Sequence, residues 1–159
     1  MTETACFYSE HLGRFVFVAL SGGVVCRVAL EAAGSFSTST TSAAARALES
    51  YLRGENVDLG IFQVNLGNRS AFERAVLQTV RGIPMGSTVT YSGLAARLGK
   101  PKAARAVGNA LHHNPVPLFV PCHRVVAASG LGGFSWGVDI KRKLLLLEGA
   151  CSQSVEDPL

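Results

Sequence analysis

The chain has 159 residues, of which 48% are hydrophobic and 16% charged; this composition is typical of a folded globular protein and excludes a disordered one. No apolar run is long enough to span a bilayer, and the N-terminus lacks a basic segment followed by an apolar one, so we expect a cytoplasmic protein, or a nuclear one in a eukaryote. The net charge of +4 divides into −2 for residues 1–66 and +6 for residues 67–159, which indicates a polyanionic partner for the second half.

The four cysteines are widely spaced and form no C-x-x-C pair: Cys6, Cys26, Cys122 and Cys151. This spacing predicts free thiols in a reducing compartment rather than a disulfide framework. Cys6, Cys26 and a histidine could surround a zinc ion, but the spacing gives this alternative little support. We therefore predict no metal and no cofactor.

Residues 1–66 have the pattern of a small scaffold domain. Two β-rich runs, 14–20 and 24–30, are separated by Ser21-Gly22-Gly23, which predicts a hairpin. None of these residues suggests chemistry, so we predict that this domain supports the other one.

The rest of this first domain is predicted to contain a loop, a helix and a further strand. The Ser- and Thr-rich stretch 35–42 predicts a surface loop. Ser42 can cap a helix that runs to Leu52 and ends at Gly54. The apolar stretch 59–64 predicts a strand.

Residues 67–159 are predicted to form a second, mostly helical domain after a linker over 65–69. Ser70 and Glu73 have the spacing of a capping box, which predicts the start of a helix that ends near Gly82.

Two short helices, 92–98 and 102–111, flank the turn Gly99-Lys100-Pro101 and predict a helix-turn-helix. The second of these helices carries two cations among very small residues: Lys102, Ala103, Ala104, Arg105 and Gly108, with Lys100 just before its start. Small side chains allow a helix to approach another surface closely, either inside a packed core or in a DNA groove. The cluster of cations at its start favours DNA.

The last helix is predicted over 140–148, with Asp139 as its cap and Gly149 at its end. Glu148 lies where a carboxylate gains nothing from the helix dipole. It is either a solvated helix end or a partner that would orient His123.

Cys122 and His123 are adjacent within Pro121-Cys122-His123-Arg124-Val125, which makes them candidates for chemistry. A buried structural cysteine is the alternative. Pro121 suits the start of a helical turn, which predicts a Cys122 thiolate stabilised by backbone N–H groups. Adjacent side chains in an extended segment point to opposite faces, so His123 would act on Cys122 only across a turn or through a water molecule.

Residues 72–149 closely resemble the O6-alkylguanine-DNA alkyltransferases, also called methylated-DNA–protein-cysteine methyltransferases. The matching segments occur in the family's order across about half of the chain: Ile83-Pro84-Met85-Gly86 with Tyr91, 101–108, Asn114-Pro115-Val116-Pro117, 121–125, and Leu146-Leu147-Glu148-Gly149. Several motifs in the right order make this resemblance very specific.

The resemblance implies an α/β (α+β) fold, with a ribonuclease-H-like small sheet and helix in residues 1–66 and a mostly helical DNA-binding domain with a helix-turn-helix in residues 67–159. It implies DNA repair by direct reversal, in which O6-alkylguanine is flipped out of duplex DNA and its alkyl group is transferred irreversibly to Cys122. The implied partner is double-stranded DNA containing O6-alkylguanine, bound through the minor groove by a monomer, alone or cooperatively, with no membrane involved.

The resemblance also implies five catalytic roles. Cys122 is the alkyl acceptor, His123 the base that deprotonates it through a water molecule, and Glu148 the carboxylate that orients His123. Asn114 is similar to the hinge residue that braces the site. Tyr91 is similar to the phenol that donates to guanine N3.

Further roles are implied for the DNA and the base. Arg105 is similar to the arginine that fills the gap left by the flipped base, beside Lys100, Lys102, Ala103, Ala104 and Gly108. The substrate pocket is implied to contain Met85, Val125, Phe134 and Ser135. The carbonyl groups of Val125 and Cys122 would read the exocyclic amine, and the N–H of Ser135 would face O6.

One segment departs from the family pattern. Relatives often have Gly-x-Leu-x-Gly-Tyr, whereas this chain has Gly130-Leu131-Gly132-Gly133-Phe134, one residue shorter and without the tyrosine hydroxyl.

Two other function classes remain open. An alkyltransferase-like protein that senses damage without chemistry would lack the acceptor cysteine, and a helix-turn-helix regulator would leave Cys122 without a role.

Overall fold

The computed structural model of the chain describes residues 2–32 and 42–150. The chain divides into two units, Met1–Gly67 with Pro115–Phe119, and Asn68–Asn114 with Val120–Leu159. The predicted boundary at residue 66 assigns 115–119 to the second domain, whereas the structure groups this segment with the first, where Pro115 accepts a hydrogen bond from the N–H of Val28 at 3.0 Å. Among the described residues, no helix has both the length and the apolarity to cross a membrane.

The first unit contains a three-stranded antiparallel sheet in the order β1 (Thr2–Ser9), β2 (Arg14–Ser21), β3 (Val24–Glu31). The predicted hairpin is confirmed as β2–β3. Its turn is made by Gly22 and Gly23, with φ of 58° and 82°. Positive φ at both central residues matches the right-handed twist of the flanking strands, and glycine adopts it without strain.

Strand β1 was not predicted from the sequence. Its consecutive residues Ala5, Cys6 and Phe7 are all buried, so the alternation that identifies a half-buried strand is absent. Cys6 pairs in register with Phe17 of β2, and burial raises the pKa of its thiol.

The predicted helix of the first unit is confirmed as α1 (Ala43–Leu52), with the Ser42 side chain accepting the N–H of Ala45 at 3.0 Å. The predicted loop over 35–42 lies, except for Ser42, outside the described residues.

The predicted strand over 59–64 is wrong. Leu59–Ile61 forms a 3-10 helix, because the Asp58 carboxylate accepts the N–H of Gly60 at 2.8 Å and turns the chain. Only Val64 keeps a strand-like contact, an isolated parallel bridge to Val25.

The second unit contains the other described helices and a short parallel pair of strands: α2 (Ala71–Arg81), β4 (Val89–Thr90), α3 (Tyr91–Arg97), α4 (Ala104–His112), β5 (Val125–Val126) and α5 (Val138–Leu147). The predicted capping box of α2 is confirmed. The Ser70 hydroxyl accepts the N–H of Glu73 at 3.1 Å, and the Glu73 carboxylate accepts the N–H of Ser70 at 3.2 Å.

The predicted helix-turn-helix is present as α3 and α4. Gly99, with φ of 73°, begins the turn between them. Helix α4 starts two residues later than predicted, so Lys102 and Ala103 belong to the turn; Ala103 precedes the helix and provides no side-chain cap.

Helix α5 is predicted correctly except for its first turn. Gly137, with φ of 99°, precedes the helix, and Asp139 lies inside the first turn rather than at the cap. The carboxylate of Asp139 instead lies 3.5 Å from Arg142. Glu148 is the residue that ends the helix.

Candidate active site

Cys122 opens a 3-10 helix, Cys122–Arg124, and is 8% exposed. Pro121 immediately precedes this helix rather than occupying its first position. The N–H of Arg124 donates to the carbonyl oxygen of Pro121 at 3.0 Å. The chain therefore makes the turn at Cys122 and His123 that coupling of these two neighbours requires.

Burial raises the pKa of the Cys122 thiol. A side-chain hydrogen bond from Asn114 and the positive charge of Lys141 lower this pKa, but they do not outweigh the loss of solvent. The backbone N–H groups of Cys122 and His123 also lower this pKa, in the direction predicted for a thiolate at a helical turn, but burial is the larger effect and the net direction is upward. Reaction at Cys122 needs a base.

His123 is fully buried, and its Nε2 lies 2.8 Å from Oε2 of Glu148. Burial lowers the pKa of His123, while its hydrogen bond to Glu148 opposes this shift. A neutral imidazole that donates Nε2–H to the carboxylate has its lone pair on Nδ1. The structure thus joins the two residues that the sequence offered as partners.

Arg124 holds the same carboxylate through two hydrogen bonds. Its Nε donates to Oε1 of Glu148 at 2.9 Å, and its Nη2 donates to Oε2 at 2.8 Å. A third bond, from Nη1 to the carbonyl oxygen of Ile83, measures 2.6 Å. Sequence reasoning gave Arg124 no role. The sequence did contain a signal for this role, because Arg124 precedes the apolar Val125 in a segment expected to be buried. A mostly buried guanidinium group needs a carboxylate partner.

Asn114 braces the segment that leads to Cys122. It follows α4, and its Nδ2 donates to the carbonyl oxygen of Val120 at 2.9 Å. The bond joins the two ends of the stretch 115–119 and fixes the residue two positions before the thiol.

Tyr91 is the first residue of α3, which Thr90 caps by accepting the N–H of Gly93 at 3.0 Å. The hydroxyl of Tyr91 donates to the carbonyl oxygen of Gly133 at 3.3 Å. Burial and the neighbouring Cys122 raise the pKa of Tyr91, so the phenol keeps its proton and can donate it.

Lys141 is a buried cation that sequence reasoning missed. No part of it is exposed, and its Nζ donates to the carbonyl oxygens of Val125 at 2.7 Å and Gly133 at 3.0 Å. Its Nζ also lies 5.7 Å from the centroid of the Tyr91 ring. The signal was position, since Lys141 precedes the buried Leu144 by three residues on α5.

Gly132 allows the loop after β5 to approach the Tyr91 ring. It has φ of 75°, and a Cβ at this position would lie 2.9 Å from both Cε2 and Oη of Tyr91. Only glycine tolerates both this backbone conformation and this contact.

A cavity of about 410 Å³ opens beside Cys122. Its lining residues are Tyr91, Gly108, Leu111, His112, Cys122, Gly133, Phe134 and Ser135. Of the four residues predicted for the substrate pocket, Phe134 and Ser135 line this cavity. Val125 is buried, with its carbonyl group bonded to Lys141, and Met85 is 36% exposed; neither residue belongs to the lining.

The residues predicted to contact DNA lie in the turn before α4 and along this helix. Lys102 and Arg105 are exposed, and Lys100 places its Nζ 5.0 Å from the centroid of the Phe72 ring. Ala103 and Ala104 are half-buried at the start of the helix. Gly108 faces the cavity instead, where an added Cβ would meet the Tyr91 ring at 4.0 Å.

Within residues 2–32 and 42–150, no group of three or more His, Cys, Asp or Glu side chains could hold a metal ion. Cys6, Cys26 and Cys122 are free thiols there, and Cys151 lies outside the described residues. Beside the cavity, the site offers the thiol of Cys122, the buried pair of His123 and Glu148, and the phenol of Tyr91.

Comparison with known sequences shows where the similarity lies. The family model for the 6-O-methylguanine DNA methyltransferase, DNA binding domain, matches residues 71–150. The chain is 46% identical over 110 residues to a methylated-DNA–protein-cysteine methyltransferase of Methanosarcina acetivorans, covering 68% of this chain and 69% of that protein. It is 39% identical over 133 residues to the protein of that name from Methanothermobacter thermautotrophicus, covering 80% and 74%.

Similarity to solved structures extends over nearly the whole chain. The crystal structure of Mycobacterium tuberculosis O6-methylguanine methyltransferase matches with a TM-score of 0.76 and 29% identity, covering 100% of this chain and 97% of that one. The crystal structure of Mycobacterium tuberculosis OGT in complex with DNA matches with a TM-score of 0.74 and 32% identity, covering 92% of each chain. The predicted α/β (α+β) class is confirmed.

Proposed function

We propose, because this chain belongs to the methylated-DNA–protein-cysteine methyltransferase family, that Cys122 accepts the alkyl group of O6-alkylguanine in DNA. The chain is an alkyltransferase of DNA repair and binds DNA. The observation on which the role of Cys122 rests is its place in the cavity wall, directly before the buried pair of His123 and Glu148. A thiol acceptor, a base and a cavity for a nucleobase are together at one place.

His123 is the proposed base for Cys122. Since Nε2 is bonded to Glu148, Nδ1 receives the thiol proton through a water molecule. Glu148, fixed in turn by Arg124, stabilises the imidazolium that forms. This assistance compensates for the burial that raises the thiol pKa.

The transfer is a single displacement at the alkyl carbon. The sulfur of Cys122 forms a bond to this carbon while the bond from carbon to guanine O6 breaks, and its electron pair stays on the guanine. Tyr91 donates its proton to N3, so that guanine leaves neutral. Proton exchange through solvent then restores Tyr91 and His123. The thioether product cannot be reversed by thiol exchange, so each molecule acts once.

The cavity walls supply the proposed recognition of the base. The carbonyl group of Cys122 accepts from the exocyclic amine, and the N–H of Ser135 faces O6. The carbonyl group of Val125 lies outside the cavity lining and accepts from Lys141, so it can join this recognition only through its second lone pair. The hydroxyl of Tyr91 now donates to Gly133 and has to turn toward N3 when a base enters. The Gly133 carbonyl then keeps Lys141 as its donor.

Helix α4 is the proposed DNA-contacting element, lying in the minor groove of duplex DNA. Its exposed Arg105 fills the gap that the flipped base leaves, and the preceding Lys100 and Lys102 contact phosphates. Flipping exposes an O6 atom that the base stack hides, and it costs a few kcal/mol of unstacking. We propose that a monomer performs this reaction without a cofactor or metal.

Intact-protein mass spectrometry after mixing with a duplex containing one O6-methylguanine tests the proposal. The expected result is one methyl increment per molecule, located on the peptide with Cys122, while the duplex loses its methyl group. Cys122→Ser is the matched control and should bind the same duplex without any increment.

The alternative function, a binding protein that recognises alkylated bases without chemistry, predicts a different result. The wild-type protein would bind the duplex, gain no mass and leave the methyl group on the DNA. That outcome would overturn the role proposed for Cys122.

A further inference from the structure

A hydrogen bond links the end of α4 to the loop on the other side of the cavity. Nδ1 of His112, the last residue of the helix, lies 3.2 Å from Oγ of Ser135. Both residues line the cavity together with Cys122. The bond therefore closes the rim of the cavity between the DNA-contacting helix and the loop that follows β5.

The other hydrogen bonds of this loop are made by residues on either side of Ser135 in the sequence. Tyr91 and Lys141 both donate to the carbonyl oxygen of Gly133, two residues earlier. The N–H of Gly137 donates to the carbonyl oxygen of Phe134 at 3.0 Å and closes a turn around Ser135. Ser135 itself is exposed, and its side chain contacts His112. The bond to His112 is thus the contact that holds the Ser135 side chain itself, in addition to those that hold its neighbours.

We propose that His112 is a positioning residue for alkyl transfer: its bond to Ser135 holds the Ser135 N–H in place to face guanine O6. The inference rests on the proposed function of the cavity. A donor aimed at the oxygen where charge develops accelerates a displacement only when it is held there before the reaction. Because His112 also ends α4, the same bond sets the distance between the helix and the loop at the cavity mouth.

The bond does not depend on one charge state of the imidazole. When His112 is neutral, its Nδ1 accepts a hydrogen bond from the Ser135 hydroxyl group. When His112 is protonated, its Nδ1–H donates a hydrogen bond to the hydroxyl oxygen. The requirement is a polar atom at the position of Nδ1. An asparagine side chain places its amide near that position, whereas a glutamine side chain places it near Nε2.

The test compares transfer rates on a duplex containing one O6-methylguanine, measured at saturating protein. His112→Ala and Ser135→Ala each remove the bond, and Ser135→Ala keeps the backbone N–H. We expect each variant to be about fivefold to tenfold slower, as the loss of one well-placed hydrogen bond predicts. The double variant should be no slower than either single variant, because both remove the same interaction. His112→Asn should restore most of the rate, and His112→Gln should not.

His113→Ala is the matched control. His113 is the next residue, more than half exposed and outside the cavity lining, and its Nδ1 lies 3.5 Å from Oε2 of Glu73. Its ring meets the His112 ring edge-on with centroids 5.6 Å apart, so this variant removes a ring contact of His112 but keeps the bond to Ser135. This variant should transfer at the wild-type rate. Affinity for the duplex and the midpoint of thermal unfolding should stay unchanged in all variants, which separates positioning from binding or folding.

A wild-type rate in His112→Ala, or losses that multiply in the double variant, would overturn the inference while leaving the proposed function intact. Equal rates for the Asn and Gln variants would also overturn it. Failure of the proposed function is a separate result, in which the wild-type protein itself leaves the methyl group on the DNA.

Discussion

Nζ of Lys141 donates to the carbonyl oxygen of Val125 at 2.7 Å, and the whole Lys141 side chain is buried. The same nitrogen donates to Gly133, so one cation on α5 ties β5 to the cavity loop. Burial lowers the pKa of Lys141 to about 8, with the neighbouring Cys122 acting against this shift. The ammonium group is therefore held at a free-energy cost that depends on pH.

The first prediction concerns this pH dependence. The folded chain releases the Lys141 proton near pH 8, whereas the unfolded chain keeps it until about pH 10.5. The unfolded state binds more protons between these values, so rising pH favours the folded state through Lys141. Relative to Lys141→Met, the free energy of unfolding of the wild type should rise by about 2 kcal/mol from pH 8 to pH 10.

Urea unfolding of both proteins at the two pH values measures this difference. Both proteins carry Cys122→Ser, because Lys141 and Cys122 shift each other's pKa and the thiol would otherwise titrate differently in the two. Lys143→Met, an exposed neighbour on α5, is the control and should show a constant difference. A constant difference for Lys141→Met would contradict the prediction.

The second prediction concerns Glu148→Gln, which keeps the shape of the side chain but removes the charge that His123 and Arg124 share. Removing one partner of a buried ion pair leaves the other uncompensated, so the free energy of unfolding should fall by about 3–5 kcal/mol. The transfer rate should fall as well, because His123 loses the group that fixes its tautomer.

Asp139→Asn removes a carboxylate from the same helix, where the side chain is 92% exposed, and should change stability by less than about 0.5 kcal/mol. Glu148→Asp serves as a second variant in case the first does not fold. Wild-type stability in Glu148→Gln would show that the buried carboxylate contributes nothing.

The third prediction concerns Gly132→Ala. The new Cβ would lie 2.9 Å from the Tyr91 ring and would also force alanine to φ of 75°. The free energy of unfolding should fall by about 1–3 kcal/mol, and the transfer rate should fall because Tyr91 is displaced. Thermal unfolding and the transfer assay measure the two effects.

Gly99→Ala separates the clash from the backbone strain. Gly99 has φ of 73°, almost the same value, but a Cβ there would meet nothing within 4 Å. The decrease in the free energy of unfolding should be larger for Gly132→Ala than for Gly99→Ala. Equal losses would mean that the contact with Tyr91 has no energetic weight.

The fourth prediction concerns Arg105→Ala. If Arg105 fills the gap left by a flipped base, the transfer rate on duplex DNA should fall by about tenfold to a hundredfold, because unstacking is no longer offset. Affinity for undamaged duplex should change by less than about threefold, since one cation supplies only a small part of the total electrostatic attraction to the phosphates. Arg46→Ala, an exposed arginine on α1, is the control and should leave both unchanged.

A single-stranded oligonucleotide with the same alkylated base provides the decisive comparison for Arg105. It has no base stack to replace, so the loss in Arg105→Ala should shrink on this substrate. An equal loss on single and double strands would contradict a role in flipping.

Helix starts could be predicted from the sequence because a cap is a local interaction. Ser42 and the pair Ser70 and Glu73 act within three residues, and the structure confirms all of them. Asp139 failed as a cap because Gly137, with its positive φ, already turns the chain into α5. Strand β1 was missed because its burial follows from pairing with β2 and not from its own pattern.

The residues of the site likewise divide into those that the sequence predicts and those that only the structure reveals. Cys122, His123 and Tyr91 stand in motifs that a sequence displays, and their roles remain predictions. Lys141 and His112 act through contacts that join distant segments: Lys141 to the Val125 and Gly133 carbonyls, and His112 to Ser135. A cation on the buried face of α5 was a visible signal, but its acceptors are backbone carbonyl groups, which look alike in every sequence.

The segment Pro115–Phe119 limits how this protein can be dissected or recombined. It packs with the first unit, where Phe119 meets Phe62 edge-on with ring centroids 6.0 Å apart, yet it precedes Cys122 by only a few residues. A fragment beginning at residue 68 would carry Cys122 together with the apolar side chains of Val116, Leu118 and Phe119, which are buried in the whole chain, but would lack the first unit with which they are grouped. A chimera that exchanges the first unit for that of a relative has to exchange these five residues with it.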